Sequence, residues 1–91
     1  MERLEARYIG NVQGVGFRYT THRIASRWRV VGYVENRPDD SVFLAAEGER
    51  PELIGFLKDI ESTLEPNISS VEKNWYSASG EWTEFSIRRK T

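Results

Sequence analysis

The chain of 91 residues contains no cysteine, and its single histidine is His22. Without thiols it forms no disulfide, attacks through no thiolate and builds no cysteine metal site. One histidine without a partner cluster is poor ground for a metal centre or a nucleophile and base pair. His22 therefore reads as an exposed or half-buried helix residue. Long apolar runs are missing too: none approaches the roughly 20 residues that span a bilayer, and Met1–Ala6 lacks the apolar stretch of a secretory leader. The expectation is a cytoplasmic protein without a membrane partner. No linker, repeat or low-complexity segment divides residues 1–91, which read as a single domain.

What is present is the composition of an ordinary globule, 38% hydrophobic and 30% charged. A chain of this length buries only about 60–65% of its unfolded surface, enough for one core. The net charge of −1 hides an asymmetry. Residues 1–37 carry seven arginines against Glu2, Glu5 and Glu35, for +4, and the remainder carries six basic and eleven acidic side chains, for −5. A basic half is compatible with nucleic acid, but the isoelectric point of 5.8 lacks the dominant basic field of a strong binder. A solvated helix face, with room for a small anion at Arg18, accounts for the excess. Asn67-Ile68-Ser69 fits a glycosylation pattern but reads as a loop.

Periodicity outlines a strand, helix, strand order that occurs twice. Ala6, Tyr8 and Gly10 alternate on one face of a first strand. Phe17, Thr21, Ile24, Ala25 and Trp28 recur at helical spacing. Val30–Asn36 reads as a second strand, Asp39-Asp40 as a turn, and Val42–Glu47 as a third strand. Pro51 suits a helix start, and Leu53, Ile54, Leu57, Ile60 and Leu64 mark the core stripe of a helix ending before Pro66. Val71, Lys73 and Trp75 suggest a fourth strand, and Phe85 and Ile87 the last. Trp28 and Tyr33 are expected in the core. Two helices on one face of an antiparallel sheet give a ferredoxin-like α+β arrangement, βαββαβ.

The informative stretch is Gly10-Asn11-Val12-Gln13-Gly14-Val15-Gly16-Phe17-Arg18, at the junction of the first strand and first helix. Its glycines let the backbone turn sharply and approach a ligand. The free amides and dipole of the helix start favour an anion, and Arg18 adds a planar fork of donors suited to phosphate. It is neither a nucleotide P-loop, for no lysine follows the glycines, nor a dinucleotide fingerprint, for Tyr19 stands where a third glycine belongs.

The stretch resembles, without a gap, the acylphosphatase signature G-x-V-Q-G-V-x-F-R. Gly32-Tyr33-Val34-Glu35-Asn36 resembles that family's G-[WY]-V-x-N, Val42–Gly48 its third strand and closing E-G, and Glu84-Phe85-Ser86-Ile87 its final strand. The resemblance covers essentially the whole chain. It implies that the backbone amides of Gln13, Gly14, Val15, Gly16, Phe17 and Arg18, with the Arg18 side chain, bind phosphate, and that Asn36 positions the attacking water. It further implies a small acyl phosphate as substrate, inorganic phosphate or sulfate as competing anion, a monomer, and no metal or cofactor. Two departures fall in turns: Asp40 and Arg29 stand where the family usually has glycine, at about 1 kcal/mol each if positive φ is kept.

Acyl phosphates suit so sparse a set of side chains. They are mixed anhydrides, and their carboxylate leaving group, with a conjugate acid of pKa about 4–5, needs no general acid. Positioning and charge stabilisation remain, the main tasks of phosphoryl transfer. Arg18 alone also fits a residue paired with a carboxylate, and Asn36 alone a turn former. Two alternatives stand beside hydrolysis. One is a non-catalytic anion-binding or regulatory module with the same loop. The other is an RNA-binding domain with the same order of elements, against which Ser41–Gly48 offers only Phe43 as an aromatic and no basic residue. The family's module also occurs at the N-terminus of carbamoyl-transfer maturation factors; this chain reads as standing alone.

Overall fold

The computed structural model describes residues 1–89. Alternation shapes the first strand, β1 (Glu2–Gly10): Leu4, Ala6 and Tyr8 are buried on one face, and Arg3, Glu5 and Arg7 take the other. The first helix, α1 (Phe17–Ala25), buries Phe17, Thr21, Ile24 and Ala25, the stripe its spacing predicts. It stops before Trp28, which is half-buried in the following bend and donates its indole N–H to Asp59 at 3.2 Å.

Strands β2 (Val31–Asn36) and β3 (Val42–Gly48) precede the second helix, α2 (Arg50–Leu64), which has Pro51 in its first turn. Leu53, Leu57, Ile60 and Leu64 are buried as expected, Phe56 joins them, and Ile54 is 42% exposed. Phe56 lies three residues after Leu53 and four before Ile60, within one helical stripe; Ile54 is rotated about 100° from Leu53 and leaves it. A 3-10 turn, Glu65–Asn67, holds Pro66 and leads into β4 (Ile68–Ser77), and β5 (Phe85–Arg88) follows.

The strands form one sheet in the order β4-β1-β3-β2-β5. The expected α+β fold is present, but the sheet is mixed: β1 pairs antiparallel with β3 and β4, and β2 with β3, whereas β5 runs parallel to β2. The reason is where the chain must cross. β4 ends beside Glu2, at the end of the sheet where β2 begins, so β5 starts alongside the start of β2 and follows its direction.

Both helices pack on the face carrying Leu4, Ala6, Val34, Leu44 and Ala46, with α1 against β2 and β5 and α2 against β3. Tyr33 lies on the other face, contrary to the core placement expected of it. It alternates with buried Gly32 and Val34, and meets Phe43 and Trp82 at ring separations of 6.1 and 5.5 Å. Of the two turn departures, Asp40 does adopt a left-handed backbone, with φ 69°, while Arg29 is outside that region. Among the described residues no helix is long and apolar enough to cross a membrane.

Candidate active site

Residues 10–18 are pinned at two points and open between them. Val12 is 1% exposed and Phe17 2%, the latter against Tyr8 at a ring separation of 5.3 Å. Between these anchors Gly14, Val15 and Gly16 are exposed. Gly14 and Gly16 have φ of 76° and 77°, and a Cβ on either would meet nothing within 4 Å. Their need for glycine is thus conformational, since any other residue is strained there.

Gly16 caps α1, no side chain accepts a hydrogen bond at that cap, and no acidic residue lies in the first turn. The helical ladder begins with the Thr20 amide, which donates to the Gly16 carbonyl at 2.9 Å. The amides of Phe17, Arg18 and Tyr19 therefore have no intrahelical acceptor and carry the positive end of the helix dipole.

Asn36 reaches this helix start by strand register. Tyr8, Val42 and Asn36 are direct partners across β1, β3 and β2, so they share a face, the one on which α1 packs. Gln13 fixes the spacing: its side-chain amide donates to the carbonyls of Arg37 and Ser41, both at 2.8 Å. This staples the loop to the turn that follows Asn36. The turn is closed in its own right, with the Arg37 amide donating to the Ser41 carbonyl at 2.9 Å and Asp39 accepting from the Ser41 amide at 3.1 Å.

Two adjoining cavities share Arg18 and Asn36. The smaller, about 200 Å³, is walled by Val12, Gly14, Gly16, Phe17 and Tyr19 in addition to that pair. The larger, about 540 Å³, adds Gln13, Arg37, Pro38, Arg88 and Arg89. Val15, expected in the phosphate site, lines neither, and Gln13 lines the larger. No carboxylate among the described residues lines either cavity.

The electrostatics set Arg18 apart. Four arginines are half-buried. Arg3, Arg7 and Arg37 each lie against carboxylates, whereas Arg18 has no carboxylate partner among the described residues. Among the described residues, then, Arg18 is not paired with an acid. His22 is exposed, and its surface hollow with Ala25, Ser26, Val30 and Phe85 is apart from both cavities.

The sequence reading missed Tyr19, Arg37, Pro38, Arg88 and Arg89 as wall residues. Arg88-Arg89 gave no local signal, because only the parallel pairing of β5 with β2, Val34 opposite Ile87, brings them next to Asn36. The side-chain staple of Gln13 was equally invisible, since its acceptors are backbone carbonyls of a distant turn.

Comparison with known proteins identifies the family. The acylphosphatase family model matches residues 4–87. An acylphosphatase of Lactobacillus gasseri is 37% identical over 89 residues, covering 96% of this chain and 98% of the relative. One from Thermotoga maritima is 50% identical over 60 residues, covering 66% and 67%. Among solved structures, the acylphosphatase from Bacillus subtilis superposes with a TM-score of 0.88 at 26% identity, over 98% of this chain and 100% of that one. HypF from T. kodakarensis gives a TM-score of 0.83 at 28% identity, over 100% of this chain but 12% of HypF. With residues 4–87 inside the family model, and with a relative 37% identical matched over 98% of its length, this chain belongs to the acylphosphatase family.

Proposed function

We propose that this acylphosphatase-family chain hydrolyses small acyl phosphates, with the phosphate in the smaller cavity and the acyl group extending into the larger. The loop amides and the Arg18 guanidinium hold the phosphate oxygens, and Asn36 positions the attacking water. One observation carries the reading: Arg18 and Asn36 are the two side chains common to both cavities, directly beside the uncapped start of α1.

In the reaction the water oxygen forms a bond to phosphorus as the bond from phosphorus to the acyl oxygen breaks, and that electron pair leaves on the carboxylate. Both water protons end on the released phosphate, one of them passing to bulk water according to pH. The Asn36 amide accepts a hydrogen bond from the water through its oxygen and donates through its nitrogen, but it is not a base at neutral pH. Charge gathering on the phosphoryl oxygens meets donors already in place, which need no reorganisation. Arg18 supplies two of these in one plane, a geometry lysine does not reproduce. Inorganic phosphate and sulfate bind the same donors and compete, and the protein works as a monomer.

The test is hydrolysis of benzoyl phosphate by the purified protein, with and without EDTA, beside Arg18→Ala. Turnover that is indifferent to chelator and collapses in Arg18→Ala supports the reading. Binding of phosphate without turnover assigns the chain to the non-catalytic alternative, and activity that needs Mg²⁺ or Zn²⁺ overturns the mechanism.

A further inference from the structure

We infer that Arg89, steadied by Tyr19, forms a second anion position beside the phosphate loop and favours acyl phosphates whose acyl chain bears a further negative charge. The inference rests on the hydrolase reading for its substrate class. Its geometry is independent of turnover.

β5 runs parallel to β2 with Val34 opposite Ile87. Two residues beyond this pair come Asn36, the last residue of β2, and Arg89, which directly follows the end of β5. Arg89 donates through Nη2 to the Tyr19 hydroxyl at 2.5 Å, with its guanidinium carbon 5.7 Å from the ring centre. Tyr19 walls the smaller cavity and Arg89 the larger, so this contact spans the place where the phosphate would give way to the acyl chain.

Besides Arg18 and Arg89, the larger cavity is lined by Arg37 and Arg88, which are engaged elsewhere. The Arg37 guanidinium lies 4.0 Å from the Phe43 ring centre, and its Nε is 2.7 Å from Glu35 Oε2, at an angle that makes no hydrogen bond. The Arg88 guanidinium lies 3.6 Å from the Tyr33 ring centre, on the sheet face away from the helices. Arg89 has one hydrogen bond to a neutral hydroxyl and no carboxylate partner among the described residues. A guanidinium has five donors, and those not used by Tyr19 can take a carboxylate edge. An uncharged acyl chain leaves them hydrated and gains nothing. Because Arg89 and Tyr19 are exposed, the selectivity is that of an exposed ion pair, up to about fivefold.

The direct test is calorimetric affinity at low salt for 4-phosphonobutyrate and butylphosphonate, which differ in the terminal carboxylate. The wild-type protein should bind the carboxylate compound about three- to fivefold more tightly. Arg89→Gln should equalise the two, Arg89→Lys should retain part of the preference, and Arg23→Gln, an exposed arginine that lines neither cavity, should leave it intact. Equal wild-type affinities, or a preference that survives in Arg89→Gln, would overturn the inference. In turnover, succinyl phosphate should be favoured over butyryl phosphate through KM, and the advantage should fade as added salt screens the pair. If neither is hydrolysed while the calorimetric preference holds and needs Arg89, the hydrolase reading falls and the second anion position stands.

Discussion

The two ends of β3 treat charge in opposite ways. At the Gly48 end, Glu47 is 1% exposed and fully engaged. It accepts hydrogen bonds from Arg3 Nε at 2.9 Å, the Ser79 amide at 2.8 Å and hydroxyl at 3.0 Å, and the Gly80 amide at 3.0 Å. Burial pushes its carboxyl up, but the amides of Ser79 and Gly80 and the Arg3 guanidinium outweigh burial and hold it below the usual carboxylate value. At the Val42 end, about 17 Å away at ordinary strand rise, Arg18, Asn36 and the first amides of α1 face cavities without a carboxylate. A buried charge with every partner supplied is a joint, here tying the segment after β4 to the sheet. Donors around a cavity that no carboxylate of the described residues lines fit the anion site proposed there.

The largest expected effect strikes the open end. Arg18→Ala should lower kcat/KM by about 10²–10³-fold, raising KM and lowering kcat, with little change in melting temperature. Lysine should restore little, because it lacks the planar fork. Asn36→Ala should act mainly on kcat, since its proposed role is to hold water rather than substrate. Near wild-type turnover in Asn36→Ala would remove that residue from the site.

Glu47→Gln should reverse the pattern, costing about 3–5 kcal/mol of stability while the folded fraction keeps most of its activity. Protonation should imitate it. A carboxyl held low in the folded state contributes stability that is present above its unfolded value near 4.5 and is lost as pH falls through its lower folded value. Chemical unfolding across the acid range should therefore show wild type and Glu47→Gln converging as pH falls. A constant gap would locate the stabilisation elsewhere.

Smaller effects sharpen the same contrast. Asp40→Gly relieves a left-handed backbone at φ 69°, so it should stabilise by up to about 1 kcal/mol and leave kcat unchanged. His22→Gln should change almost nothing, and kcat should be nearly flat from about pH 5 to 8, the interval in which an ordinary histidine titrates. A sigmoidal profile near neutrality that disappears in His22→Gln would mean that this side chain reaches the phosphate.

The sequence made the open end more legible than the closed one, for a physical reason. The chemistry proposed for residues 10–18 rests on backbone conformation and adjacent side chains, so it is written in consecutive letters. Asn36 was readable only through the resemblance of Gly32–Asn36 to a family block, since alone it fits a turn former. The Glu47 joint needs Arg3, Ser79 and Gly80, which meet only through strand pairing and a crossing segment. Arg89 depends likewise on the parallel placement of β5, and Tyr33 went to the wrong face because an alternating strand does not announce which of its faces the helices cover. Ile54 and Phe56 show the same limit at smaller scale: apolar character marks a helix as amphipathic, but angle decides which residues are buried.

The most direct test is the rise in melting temperature on adding inorganic phosphate to wild type, Glu47→Gln and Arg18→Ala. A ligand that binds only the folded state stabilises by about 1.4 kcal/mol at ten times its Kd. At that concentration for the wild type, wild type and Glu47→Gln should gain the same increment from different starting points, and Arg18→Ala should gain little. An equal gain in Arg18→Ala, or one lost in Glu47→Gln at a temperature where that protein is folded, would contradict the assignment of the anion to the open end of the sheet.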